Sequence, residues 1–258
     1  MNTRFCLGVA SLCIGAALLI SSAPARVVHA QGPSMSELHY TYVAEWAAPR
    51  DKWPAMEANF KESEATLKKL QADGVIVGWG WYSRLAHDES GVTHGDWFST
   101  TSFDGIVRAL DALTKTSAAP VLATAKHQDF VLRSLAHNDK PGASGTGILW
   151  VANYLVKPDH AEEFGGLMER VIVPALEKLL AEGAIASYEV DTQVVHSENP
   201  GIISVAYIAP NGAGVDKVQA AVRAATAADP KFAAAFEAST VGSAHRDFIA
   251  RVGAYAHK

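Results

Sequence analysis

His127-Gln128-Asp129-Phe130-Val131-Leu132-Arg133 and His245-Arg246-Asp247-Phe248-Ile249-Ala250-Arg251 read as one β-strand written twice. Four of the seven positions are identical and Val131/Ile249 is a conservative exchange. The duplication extends upstream. Leu67-Lys68-Lys69-Leu70-Gln71-Ala72-Asp73-Gly74 superposes without gaps on Leu176-Glu177-Lys178-Leu179-Leu180-Ala181-Glu182-Gly183, and the same offset sets His87 on His196. The order of elements repeats as well. The first copy reads as a strand (Tyr40 to Trp46), a helix (Asp51 to Ala72), a long strand (Val75 to His87), a third strand (Asp96 to Thr101), an alanine-rich helical region (Phe103 to Ala125) and the closing strand. The second runs Ile148 to Tyr154, Asp159 to Ala181, Ala184 to His196, Ile202 to Ala209, Val215 to Thr240 and the closing strand.

Apolar residues recur at helical spacing in both first helices: Trp53, Met56, Phe60, Leu67 and Leu70, then Phe164, Leu167, Val171 and Leu179. Gly74 and Gly183 sit where a glycine ends a helix, and Pro174 predicts a kink or break after about Val173. Residues 137–147, rich in Gly, Ser, Asn and Asp, have linker composition. The expected organisation is a signal peptide over 1–30, a first α+β repeat over 36–136, a linker over 137–147 and a second repeat over 148–258. Two ferredoxin-like β-α-β-β-α-β units should pack face to face as one pseudo-twofold, pseudo-dimeric α+β barrel. On this element order, the duplication and the His-x-Asp-Phe closing strands, the chain resembles the dimeric α+β-barrel superfamily of small monooxygenases, stress-responsive barrel proteins and haem-dependent relatives. The resemblance covers nearly all of the mature chain and implies fold more than activity.

The N-terminus carries Arg4, an apolar run from Phe5 to Ile20 and small-residue sites after Ala25 and Ala30, the layout of a secretory signal. The run is too short to span a bilayer, so a periplasmic or secreted protein without stable membrane insertion is expected. Both cysteines, Cys6 and Cys13, fall in that segment, leaving the mature part without disulfide or thiolate chemistry. Removing Arg4 and Arg26 leaves 20 basic against 27 acidic residues, a balance of −7 in place of −5, which argues against a nucleic-acid partner.

Tryptophan is concentrated in the first half: Trp46, Trp53, Trp79, Trp81 and Trp97, against Trp150 alone in the second. Alternation along the long strand puts Trp79, Trp81 and His87 on one face, with Gly78, Gly80, Tyr82 and Arg84 on the other. Glycines there leave room for a ligand or another backbone, and Ser187 and Glu189 fill the repeat positions. A ligand site of Trp46, Gly78, Trp79, Gly80, Trp81, Trp97 and His87 competes with plain core packing of the indoles. A second constellation is polar: His127, Asp129 and Arg133 share one strand face, as do His245, Asp247 and Arg251. It suits proton transfer or anion binding, or else a salt-bridged ladder at the seam between halves. The run His87-Asp88-Glu89-Ser90-Gly91 with His94 and Asp96 matches no metal loop and reads as a solvated turn. No metal-ligand spacing, phosphate loop, nucleophile elbow or dinucleotide fingerprint occurs.

The leading reading is therefore an exported protein that binds a small organic molecule in an aromatic pocket between sheet and helices of the N-terminal half, monomeric or weakly associating. A rival, drawn from the superfamily resemblance, is a cofactor-independent or haem-dependent oxidoreductase with His127 or His245 as proton carrier or iron ligand. A structural or interaction module without a ligand is the third. Neither a cofactor nor a set of catalytic residues is named by the sequence.

Overall fold

The structure, a computed structural model, describes residues 38–87, 90–116, 119–195 and 201–258. The expected signal peptide, Asp88-Glu89 and residues 196–200 lie outside them. Eight antiparallel strands close into one barrel: β1 (Tyr40–Ala47), β2 (Gly78–Arg84), β3 (His94–Thr100), β4 (Lys126–Asp139), β5 (Ser144–Leu155), β6 (Ser187–Val195), β7 (Ile202–Ala209) and β8 (Arg246–His257). Around the barrel the order is β1-β3-β2-β8-β5-β7-β6-β4. Each half thus supplies a four-strand run, β4-β1-β3-β2 or β8-β5-β7-β6, and the runs join edge to edge where β2 pairs with β8 and β4 with β6. Closure leaves no strand edge unpaired, and the two facing sheets enclose a lumen.

Helices cover the outside. In the first half these are α1 (Trp53–Ala72) and α2 (Phe103–Thr116). The second half has α3 (Ala161–Leu167), α4 (Val173–Ala181), α5 (Gly212–Ala228) and α6 (Phe232–Ser239). Met56, Phe60, Leu67 and Leu70 form the buried stripe of α1. Gly74 and Gly183 end their helices with φ of +74° and +72°, a left-handed turn that favours glycine. In both copies the next amide then folds back on the helix, Val75 N–H to Leu70 and Ala184 N–H to Leu179, each at 2.9 Å.

Several expected boundaries move for identifiable reasons. Pro174 stands at the start of α4, and the irregularity falls before it, as a π-helical turn over Met168–Ile172. The proline offers no N–H to the preceding turn and crowds its carbonyl, so that turn widens. Pro230 likewise divides the second alanine-rich region into α5 and α6. The residues of 137–147 are not a linker: His137 to Asp139 complete β4 and pair with β6, Ser144 to Gly147 begin β5, and only a tight turn separates them. Their polar composition is that of strand ends and a turn with Gly142 at φ +69°.

Packing differs between the halves. In the second, one continuous cluster runs from Phe164, Leu167 and Leu176 through Ile203 and Val205 to Phe232. In the first it is split. Leu67, Leu70, Ile76, Trp79, Phe98 and Ile106 form one group, and Ala48, Met56, Phe60, Trp81 and Val121 another.

Candidate functional site

Where those two groups part, a cavity of about 200 Å3 lies between α1, α2 and the outer face of the sheet. Its sheet side is Tyr42, Ala44, Trp46, Trp81, Asp96 and His127; Asn59, Phe60, Ser63, Leu67, Leu110 and Leu113 line the helix side. Alternation along each strand explains the set: Tyr42, Ala44 and Trp46 point outward from β1, and Asp96 outward from β3, with Ala44 and Asp96 directly paired. The Trp81 indole stacks on Phe60 at 5.7 Å and donates to Glu64 at 3.2 Å. Trp46 stacks flat on His127 at 3.9 Å, and its N–H donates to Asp96 Oδ1 at 3.0 Å. His127 Nε2 lies 2.6 Å from Asp129, which also accepts the Tyr42 hydroxyl.

Asp96 is the group with chemistry. Burial pushes its carboxyl up to about 7, against the stabilising donation from Trp46, and the Asp129 charge adds to the rise. Near neutrality such a carboxyl exists in both protonation states, which is what a general acid or base requires. Tyr42 is raised by burial and by Asp129, so it stays a hydroxyl donor at neutral pH. Trp46, Trp81 and Phe60 supply flat apolar walls. A cavity of this size takes a molecule of one or two rings, since about 150 Å3 accommodates benzene.

The residues singled out in the sequence are divided by the structure. Trp46 and Trp81 line this cavity. Trp79 is 1 % exposed, sits in the core and donates to Gln71 at 3.2 Å. Gly78, Gly80 and Trp97 lie on the opposite face, in the barrel lumen. The room beside Gly80 is taken by the Trp97 ring, 2.2 Å from where a Cβ would stand, and Gly78 faces His257. The glycines therefore make space for neighbouring side chains instead of a ligand on the tryptophan face. His87 is exposed at the end of β2, stacked on Trp53 at 5.2 Å; His196 lies outside the described residues.

His127–Asp129 and His245–Asp247 do pair, the second at 2.8 Å, but no seam ladder exists. Both pairs lie opposite β1 or β5 within their own half, about two-fifths exposed. Arg133 and Arg251 are exposed and, among the described residues, ion-pair with neither aspartate. Also among the described residues, no three His, Cys, Asp or Glu side chains converge on a metal position. Haem does not fit. A tetrapyrrole exceeds the cavity, and His127 is held flat against Trp46 with Nε2 turned to Asp129.

Asp96, read in the sequence as part of a solvated turn with His87 and His94, stands instead within β3 and lines the cavity. Strand register aligns Trp46 with Tyr154, Tyr42 with Trp150, His127 with His245 and Asp96 with Val205. Between the halves the register thus exchanges an acid for valine. The available signal was an aspartate two residues before Phe98, on the face that β3 turns toward the helices.

No family model matches the chain, and no curated protein does. The similarity lies in solved structures. A putative monooxygenase of Fusobacterium nucleatum superposes with a TM-score of 0.62 at 10% identity, covering 87% of this chain and 96% of its own. One from Lactobacillus acidophilus gives 0.60 at 12%, covering 86% and 97%. A putative chlorite dismutase gives 0.51 at 13%, covering 84% and 95%. These are proteins of the dimeric α+β-barrel type, and the chain shares that fold.

Proposed function

We propose that the chain is an exported, cofactor-independent oxidoreductase of the α+β-barrel type, which binds an aromatic molecule of one or two rings in the N-terminal sheet–helix cavity. The observation that carries this reading is Asp96, a carboxyl near pKa 7 on the floor of an aromatic cavity. Asp96 takes a proton from an acidic O–H or C–H of the bound ring. The electron pair stays on the substrate, whose ring carbon adds dioxygen to form a C–O bond. The proton on Asp96 passes to the outer oxygen, giving a hydroperoxide. Loss of the remaining C–H proton with O–O cleavage releases water and leaves a quinone carbonyl, so that one dioxygen yields one carbonyl oxygen and one water. Trp46 holds the carboxylate in place through its N–H, and the apolar walls exclude water, strengthening that contact. The coarse likeness to monooxygenase folds is consistent with this chemistry. A second reading, binding without turnover, draws on the hydrogen bond Asp96 already has from Trp46.

We also read the two halves as tandem ferredoxin-like repeats, and the mature chain as a monomer or weak oligomer. The support is that β2–β8 and β4–β6 pairing closes the barrel within one chain. Sedimentation of the mature protein as a stable dimer would contradict it.

The functional test uses 2-naphthol as probe. Expected are saturable quenching of tryptophan fluorescence and dioxygen uptake that rises as pH passes through 7, with uptake lost in Asp96→Asn. Quenching without uptake supports the binding reading. No quenching at any pH removes both.

A further inference from the structure

The barrel lumen holds another cavity, of about 150 Å3, on the face of the sheet opposite Asp96. Its walls are largely apolar, with Val43, Trp97, Phe130, Val151, Ile208 and Phe248 among them. It exists because the two halves fill the lumen differently. On the first side the Trp97 ring occupies the place beside Gly80 and the Tyr82 ring the place beside Gly95. Strand register sets Ala206 and Ser204 of β7 at the positions of Trp97 and Gly95. The second half therefore has no large ring there, and the space stays open against β6 and β7.

The charges inside are already answered. Glu45 accepts from Arg84 at 2.6 Å, Tyr82 at 3.0 Å and Gln128 at 2.9 Å. Glu189 accepts from Thr41 at 3.1 Å and pairs with His39 at 3.3 Å. Asp191 accepts from Ser134 at 2.7 Å, and burial beside Glu189 keeps its proton on. A charged guest would enter without a counter-ion and be penalised. Two polar atoms are left. Gln193 Oε1 and His257 Nε2 belong to residues 8 % and 6 % exposed that line the cavity, and among the described residues neither atom has a hydrogen-bond partner. Buried polar groups without partners are uncommon and costly, which marks a place for a hydrogen-bonding guest. A hydroxyl both donates and accepts, so it satisfies Gln193 whichever way the amide is turned. Asn153, Ile202 and Phe248 keep part of their surface accessible, so the lumen can be reached from solvent.

We propose that the lumen is a second binding site, separate from the Asp96 cavity, for a neutral single-ring molecule carrying a hydroxyl group. Its ring lies among Phe130, Val151 and Phe248, and its hydroxyl bonds Gln193. The cavity matches a benzene-sized guest. A 4-bromophenol soak of crystals of the mature protein tests this, with anomalous scattering locating the bromine. The expected result is a bromine peak in the lumen, weakened at least several-fold with bromobenzene, absent in Gln193→Leu and retained in Asp96→Asn. A second variant, Ala206→Phe, fills the lumen and should also remove the peak. Ordered water alone in the lumen, bromine only in the sheet–helix cavity, or equal occupancy by bromobenzene and in Gln193→Leu would overturn the proposal. Because the two cavities lie on opposite faces of the sheet, failure here leaves the Asp96 reading standing.

Discussion

The two halves of this barrel share a frame and differ in what it holds. In each, a histidine of the closing strand lies flat on an aromatic of the central strand: His127 on Trp46 at 3.9 Å, His245 on Tyr154 at 4.5 Å, both with 17° between the planes. Each histidine reaches an aspartate two residues on. Beneath that frame the second half packs as one continuous cluster, with Phe164 and Phe236 on Tyr154 and Val205 at the register position of Asp96. The first half has a cavity and an acid. The two halves keep one strand arrangement and differ in a few side chains. The His–Asp pair is common to both, whereas the aspartate at the cavity is not, and the proposed chemistry draws on that difference.

The sharpest way to break this comparison is to give the second half the first half's acid. Val205 is 9 % exposed in an apolar cluster, so Val205→Asp should cost about 5 kcal/mol or more, read by denaturant unfolding, because no partner awaits the carboxyl. A mild effect would mean that the second half has hidden room. Next in size is Phe164→Ala, which empties a fully packed site and should cost about 3–5 kcal/mol. Phe60→Ala should cost measurably less, since that ring already borders an opening. Equal losses would argue that the first-half cavity closes in solution.

How far these differences could be read in the sequence depends on the residue. The order of strands and helices, the helix-ending glycines and the alternation of β2 were legible because short-range rules govern them. The same alternation sets Trp79 and Trp81 on one face of β2, and Trp81 on that face lines the cavity. The meaning of Gly80 did not show, because Trp97 reaches it from the neighbouring strand, and cross-strand register is a long-range property. For the same reason the place of Asp96 was not legible: its position opposite Ala44 depends on the pairing of β1 with β3. Residues 137–147 misled through composition alone: polar, small residues also make the exposed ends of long strands.

Smaller effects refine the account. Gly80→Ala should destabilise by about 1–3 kcal/mol, by driving a methyl into Trp97 with the Ala254 carbonyl oxygen 2.9 Å away. A neutral outcome in a thermal melt would show that the Trp97 ring can shift. Smallest is Asp247→Ala, expected below about 1 kcal/mol because the His245–Asp247 pair is well exposed to solvent. Asp129→Ala should exceed it, since Tyr42 also loses its acceptor. If the two variants melt alike, the Tyr42 contact contributes nothing.

The central claim is that Asp96 titrates near neutrality in the first-half cavity. Its folded-state pKa of about 7 lies above the ordinary aspartate value of 3.8, so the protonated side chain favours folding at low pH. That contribution is fully present below about 4 and is lost as pH rises through 7, where the buried charge must form. Asp96→Asn, which keeps an acceptor for Trp46, should therefore gain on wild type with rising pH, by up to ~4 kcal/mol at pH 8. The most direct measurement is a carbon-13 NMR titration of aspartate carboxyls, with the Asp96 resonance assigned by its absence in Asp96→Asn. A midpoint near 7 is the predicted result. A midpoint below about 5 would contradict the account, because Asp96 would then be an ordinary carboxylate at neutral pH and the two halves would differ only in packing.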